Sequence, residues 1–201
     1  MNGLRYGTRR NSRTEVKLES SQTKELERDA KIELKFSAAS ISGLLLLLVD
    51  SKFIDHTLVY LLRGRLHCSF NPGSGTLELE FGAELSTNGS QWHRLSIVRE
   101  SRKVKIFVDE KEVKSGTLPG DKTALTVNPV LFVGSLPRKL VESASAKMHP
   151  ALAIRAEFRS STVVFAPRSM EISETVFKVM KTWHRTVSHC SKTPAKRQKS
   201  N

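Results

Sequence analysis

The side chains in this sequence that can do chemistry are few and scattered. Its six histidines do not cluster. His184, His189 and Cys190 lack the spacing of a zinc site, and His93 follows Trp92 within a core strand pattern. The sequence contains no phosphate-binding loop, dinucleotide fingerprint, nucleophile elbow or paired-acid motif. An enzymatic reading therefore has no residue to stand on. Of the two cysteines, Cys68 lies on the apolar face of a predicted strand and reads as a small core residue. Cys190 sits in a basic segment and reads as an exposed thiol. Two lone cysteines show no disulfide framework, which leaves the redox compartment open.

The remaining candidates bind rather than react. Asn88-Gly89-Ser90 is an N-x-Ser glycosylation sequon in a predicted turn, used if the chain is secreted and bare if it is cytoplasmic. Arg99, Arg102, Lys103 and Lys105 are read as outward side chains that form either a basic strip for polyanions or an ordinary solvated hairpin face. Lys178, Lys181 and Arg185, followed by Lys196-Arg197, would suit an anionic membrane or nucleic acid. On residue type alone, Asp55 initiates a strand and Asn128 caps a turn before proline.

The elements that must carry these residues are strands. Residues 44–49 are a continuous apolar run, too short for a membrane span and of the length a buried strand needs. Asp55 opens a second strand that reaches Leu62, and Arg63-Gly64 turns the chain. Leu66, Cys68 and Phe70 then alternate with Arg65, His67 and Ser69, the period of a strand with one buried face. Asn71-Pro72-Gly73-Ser74-Gly75 supplies the next turn. Residues 31–36 read as the first strand, and residues 76–81, 92–99, 103–108, 113–118 and 130–133 as later ones. Strands at this spacing with no helical period between them predict an all-β antiparallel sandwich or barrel.

Charge separates the segments. The net charge of +13 divides into +3 over residues 1–35, +1 over 36–137 and +9 over 138–201, so the basicity belongs to the tail. Residues 1–30 are polar without a sustained apolar period and are expected to be a linker. Residues 1–17 contain no apolar core of a signal peptide, so an extracellular role would make this chain a fragment or an incomplete gene product. Residues 171–187 carry the one helical signal, with Ile172, Val176, Met180, Trp183 and Val187 on one face. Residues 191–201 are expected to be disordered.

The central residues resemble the laminin G-like (LNS) domain, in wording closest to laminin α chains. The likeness is carried by Gly43-Leu44-Leu45-Leu46, then Asp55, Leu61, Gly64 and Leu66, then Phe70-Asn71-Pro72-Gly73-Ser74-Gly75. Gln91-Trp92-His93, Leu95, Ile97, Arg99, Val108-Asp109 and the run from Leu131 to Pro137 (LFVGSLP) complete it, in order, over about 105 residues. The resemblance implies a jelly-roll sandwich of two antiparallel sheets, also described as concanavalin-like. Such domains are secreted or stand on cell surfaces, and bind glycans, receptors or other matrix proteins without catalysis. It further implies a rim calcium held by Asp55, Asn128 and carbonyls at Pro72 and Thr126, a set whose single full charge predicts Kd on the order of 10⁻⁴–10⁻³ M. Sulfated glycans on Arg99, Arg102, Lys103 and Lys105 would match the family's habit.

Three departures stand out. No closing strands or Gly-Cys motif are visible after Pro137, Glu110 replaces the usual hairpin glycine, and Ser135 replaces the second glycine of the Gly-Gly-Leu-Pro turn. Residues 31–137 are therefore expected to be a C-terminally incomplete laminin G-like domain with an open edge, and residues 138–201 a non-matching basic tail. The reading is an extracellular adhesion and recognition module with matrix or cell-surface partners. Its alternatives are a basic intracellular protein whose tail binds nucleic acid or acidic partners, and a nonfunctional truncated product.

Overall fold

The run of residues 43–49 is buried from end to end, and the architecture follows from what covers its two faces. The computed structural model describes residues 4–6, 12–148 and 163–172. The elements in chain order are β1 (Leu4–Tyr6), β2 (Thr14–Lys17), α1 (Ser20–Arg28), β3 (Asp29–Ala38), β4 (Gly43–Val49), β5 (His56–Leu62) and β6 (Arg65–Asn71). They continue as β7 (Leu77–Glu84), β8 (His93–Glu100), β9 (Lys103–Val108), β10 (Lys111–Thr117), β11 (Val130–Val133), α2 (Arg138–Lys147) and β12 (Val163–Ile172). The strands form two six-stranded antiparallel sheets, ordered β1-β12-β3-β8-β9-β10 and β2-β11-β4-β5-β6-β7. Of the sandwich or barrel that the strand spacing predicts, this is the sandwich, as the resemblance implies.

Alternation builds the interior. Leu46 and Leu48 of β4, Cys68 and Phe70 of β6, and Leu34 and Ile97 of the facing sheet meet in one core between the sheets. A bulge after Leu44 shifts the register of β4, and Leu44, Leu47 and Val49 turn to the opposite face. There they meet Leu58, Tyr60 and Phe132 under α2, which lays Leu140, Val141 and Ala144 across them. The apolar run has no polar alternation because both of its faces are covered.

Two segments set aside as linker and tail belong to the sandwich. Residues 1–30 are not a linker throughout. β2 pairs with β11, and Val16, Leu18 and Leu26 are buried in the main core. A capping box between Glu19 and Gln22 starts α1. Beyond Pro137, α2 closes the outer face and β12 pairs with β3 from Ala38 to Ile32, so the edge of β3 is covered and the sandwich does not end at Pro137 with the open edge expected of it. Glu171 and Ile172, assigned to the start of a helix, lie in β12. The rest of that helical expectation and the predicted disorder at 191–201 fall outside the described residues.

Candidate functional site

The rim at the ends of β4, β5 and β6 gathers the predicted ion-binding residues. Asp55 sits in the β4–β5 connection, where its carbonyl accepts a hydrogen bond from the Asp50 N–H at 3.0 Å. Asp50 Oδ1 accepts the Ile54 N–H at 2.8 Å, which fixes the turn before Asp55. Asp55 Oδ2 accepts the Thr126 N–H at 2.9 Å. Two residues on, the Asn128 N–H donates to the Val49 carbonyl at 3.0 Å, so the loop before β11 is stitched to the rim on both sides. Asn128 is exposed, whereas Pro72 is buried in the turn after β6. That turn is organised by Asn71, whose Oδ1 accepts the Gly73 N–H at 2.7 Å.

Gly73 explains how closely these segments pack. Its φ is +87°, and a Cβ there would lie 2.6 Å from Asp55 Oδ1 and 3.2 Å from Lys122 Nζ. Only glycine leaves this cradle open. Among the described residues, no three His, Cys, Asp or Glu side chains converge. The donor set that the resemblance implies is one carboxylate, one side-chain amide and backbone carbonyls. Such a set fits calcium, which accepts neutral oxygens, and does not fit zinc.

The four basic residues do not form one strip. Arg99 is buried, because strict alternation from Leu95 and Ile97 carries it inward. Its guanidinium Nη2 donates to the Leu26 carbonyl in the last turn of α1, where a cation complements the helix dipole. Burial pushes the Arg99 pKa down, and the neighbouring Asp29 charge opposes that. Arg102 donates through Nε (3.0 Å) and Nη2 (2.8 Å) to the Leu118 carbonyl, which commits it to the loop after β10. Lys103 and Lys105 remain exposed.

The other sequence candidates have distinct settings. Asn88 is exposed, and its Oδ1 accepts the Ser90 N–H at 3.0 Å and the Ser90 hydroxyl at 2.7 Å. Cys68 is wholly buried and burial pushes its thiol pKa up, as a core residue requires. His93 is a core histidine, with Nδ1 2.9 Å from Asp109 Oδ2. Cys190, His184, His189 and the basic tail residues lie outside the described residues. No helix among the described residues is long and apolar enough to cross a membrane.

Two features escaped sequence reasoning. One is Lys122 over the Gly73 cradle, which looks in sequence like any other loop lysine. The other is a polar chain that runs from the buried His56 to the surface: His56 Nδ1 lies 2.9 Å from the Ile54 carbonyl, His56 Nε2 lies 2.8 Å from Ser69 Oγ, and Ser69 donates to the exposed Glu78 at 2.7 Å. Only cross-strand register brings these three together.

The two packed sheets define the class, an antiparallel β-sandwich. The family model for the laminin G domain matches residues 36–154, and the chain belongs to that family. Laminin subunit alpha-1 of mouse is 29% identical over 132 residues, covering 66% of this chain and 4% of that protein. The mouse basement membrane-specific heparan sulfate proteoglycan core protein is 29% identical over 110 residues, 53% of this chain and 3% of that protein. The chain thus spans a few per cent of the length of these relatives. Among solved structures, domains LG4-5 of the mouse laminin alpha1 chain superpose with a TM-score of 0.67 at 23% identity, covering 84% of this chain and 41% of that one.

Proposed function

We propose that this domain is an extracellular recognition module that binds matrix or cell-surface ligands, with a weak calcium ion on its rim, and that it catalyses no reaction. The observation that carries the reading is the meeting of Asp55, Thr126, Asn128 and the Pro72-Gly73 turn at one edge of a laminin G sandwich. Asp55 would supply the charge, the Asn128 side chain a neutral oxygen, and carbonyls at Pro72 and Thr126 the rest of the shell. Calcium here would brace three loops and offer open coordination positions to an acidic ligand. Lys103 and Lys105 would add long-range attraction for sulfated glycans, with Arg99 and Arg102 occupied elsewhere. Asn88 is exposed in its turn and would carry an N-linked glycan in a secreted chain.

A calcium titration of the domain followed by calorimetry tests the rim. Wild type is expected to bind with Kd on the order of 10⁻⁴–10⁻³ M, and Asp55→Ala to lose binding. Identical curves for the two would sink the reading. Retention on a heparin column is expected to fall for Lys103→Ala/Lys105→Ala and to shift with salt.

A further inference from the structure

Lys122 stands over the cradle that the calcium reading needs. Its position is set by the backbone rather than by chance. Ser74 Oγ donates to the Pro119 carbonyl at 3.2 Å and accepts the Lys122 N–H at 3.3 Å. Gly120, with φ +70°, packs so tightly that a Cβ would lie 2.5 Å from the Ser74 carbonyl oxygen. The loop after β10 is thereby clamped across the turn after β6, and the Lys122 side chain is delivered to the point above Gly73 that Asp55 Oδ1 also faces. Asp55 Oδ2 is held by the Thr126 N–H, which leaves Oδ1 as the oxygen that shares the space above Gly73 with the ammonium. No closed ion pair of Lys122 with any carboxylate is formed among the described residues.

We propose that the Lys122 ammonium is the cation this rim supplies for itself, and that a divalent ion enters beside Asp55 only by displacing it. This rests on the calcium reading above. Without calcium, the ammonium offsets part of the Asp55 charge across the cradle, while the Ser74 hydrogen bonds hold the two loops together. A divalent ion at Oδ1 would share the space above Gly73 with the ammonium and repel it, and the exposed, flexible lysine would swing into solvent to admit it. The site is therefore self-masked, and its affinity is set by Lys122 as much as by its ligands.

Calcium titrations of wild type, Lys122→Met, Lys122→Arg and Asp55→Ala decide the matter, with thermal melts confirming that each variant is folded. Lys122→Met is expected to bind calcium about tenfold more tightly than wild type, Lys122→Arg to stay close to wild type because it keeps the charge, and Asp55→Ala to bind none. Equal affinities for wild type and Lys122→Met, with Asp55→Ala still inactive, would overturn the displacement model and leave the calcium site standing. Absence of binding in wild type and Lys122→Met alike would overturn both.

Discussion

His56 shows how much a single buried side chain is asked to satisfy. With its Nδ1 proton given to the Ile54 carbonyl, a neutral His56 leaves Nε2 as an acceptor. The one Ser69 hydroxyl proton then faces two acceptors, Nε2 and Glu78 Oε1. Protonation of His56 would serve both, yet burial pushes its pKa down, against the opposing Ile54 carbonyl and the charges of Glu78, Asp55 and Asp50. The sign follows from linkage. Above pH about 6.5 the imidazole is neutral in both states. Below that, the unfolded chain takes up a proton that the folded chain refuses, so stability falls as pH drops towards the folded pKa. Urea unfolding at pH 7.5 and 5.5 is expected to show a loss of stability in wild type at the lower pH that is missing from His56→Gln. An equal loss in the variant would assign the pH dependence to other groups.

At the scale of an element, the β9–β10 hairpin illustrates a departure that the fold tolerates. Asp109 and Glu110 have φ of 51° and 70°, the left-handed pair of a type I′ turn whose second place favours glycine. Asp109 repays its conformation by accepting the Arg94 N–H at 2.8 Å and pairing with His93 at 2.9 Å. Glu110 is exposed, and its contact with Arg94 is long, at 3.5 Å. Glu110→Gly is therefore expected to stabilise the domain by about 0.5–1 kcal/mol, whereas Asp109→Ala costs about 1–3 kcal/mol because it strands a buried histidine nitrogen. Thermal melts of the two variants, moving in opposite directions, check this. Arg99 teaches a related lesson. The period of β8 places it inward, and the Leu26 carbonyl in the last turn of α1, with the nearby Asp29 charge, makes that position tenable for a charged group.

For the whole molecule, the domain is larger than its recognisable centre. Removing residues 12–30 would strip Val16, Leu18 and Leu26 from the core, each worth roughly 1.5–3 kcal/mol of burial. Removing residues beyond 137 would bare Leu44, Leu47, Leu58 and Phe132 and free one edge of β3. Together these losses rival the roughly 5–15 kcal/mol that holds a domain folded. A chain trimmed to residues 31–137 is expected to aggregate or unfold without a cooperative transition, and one spanning 12–172 to unfold cooperatively. Circular dichroism melts of the two distinguish the outcomes, and cooperative melting of the short form would show that the flanks are dispensable.

The local code determined the strands and their class. Leu66, Cys68 and Phe70 alternate because a pleated strand has two faces, and Arg63-Gly64 turns because that geometry needs left-handed backbone, with φ of 52° and 78°. The ordered motifs from Gly43 to Pro137 were enough to place the family. Other features had no local signal. α1 buries a single large apolar side chain, Leu26, too sparse a period to read as amphipathic. α2 earns its place only through the second face of β4, and β12 only through the free edge of β3. The position of Lys122 above Gly73, and the chain from His56 to Glu78, were decided by tertiary structure alone. They depend on which strands and loops lie side by side, and periodicity along one segment carries no information about its neighbours.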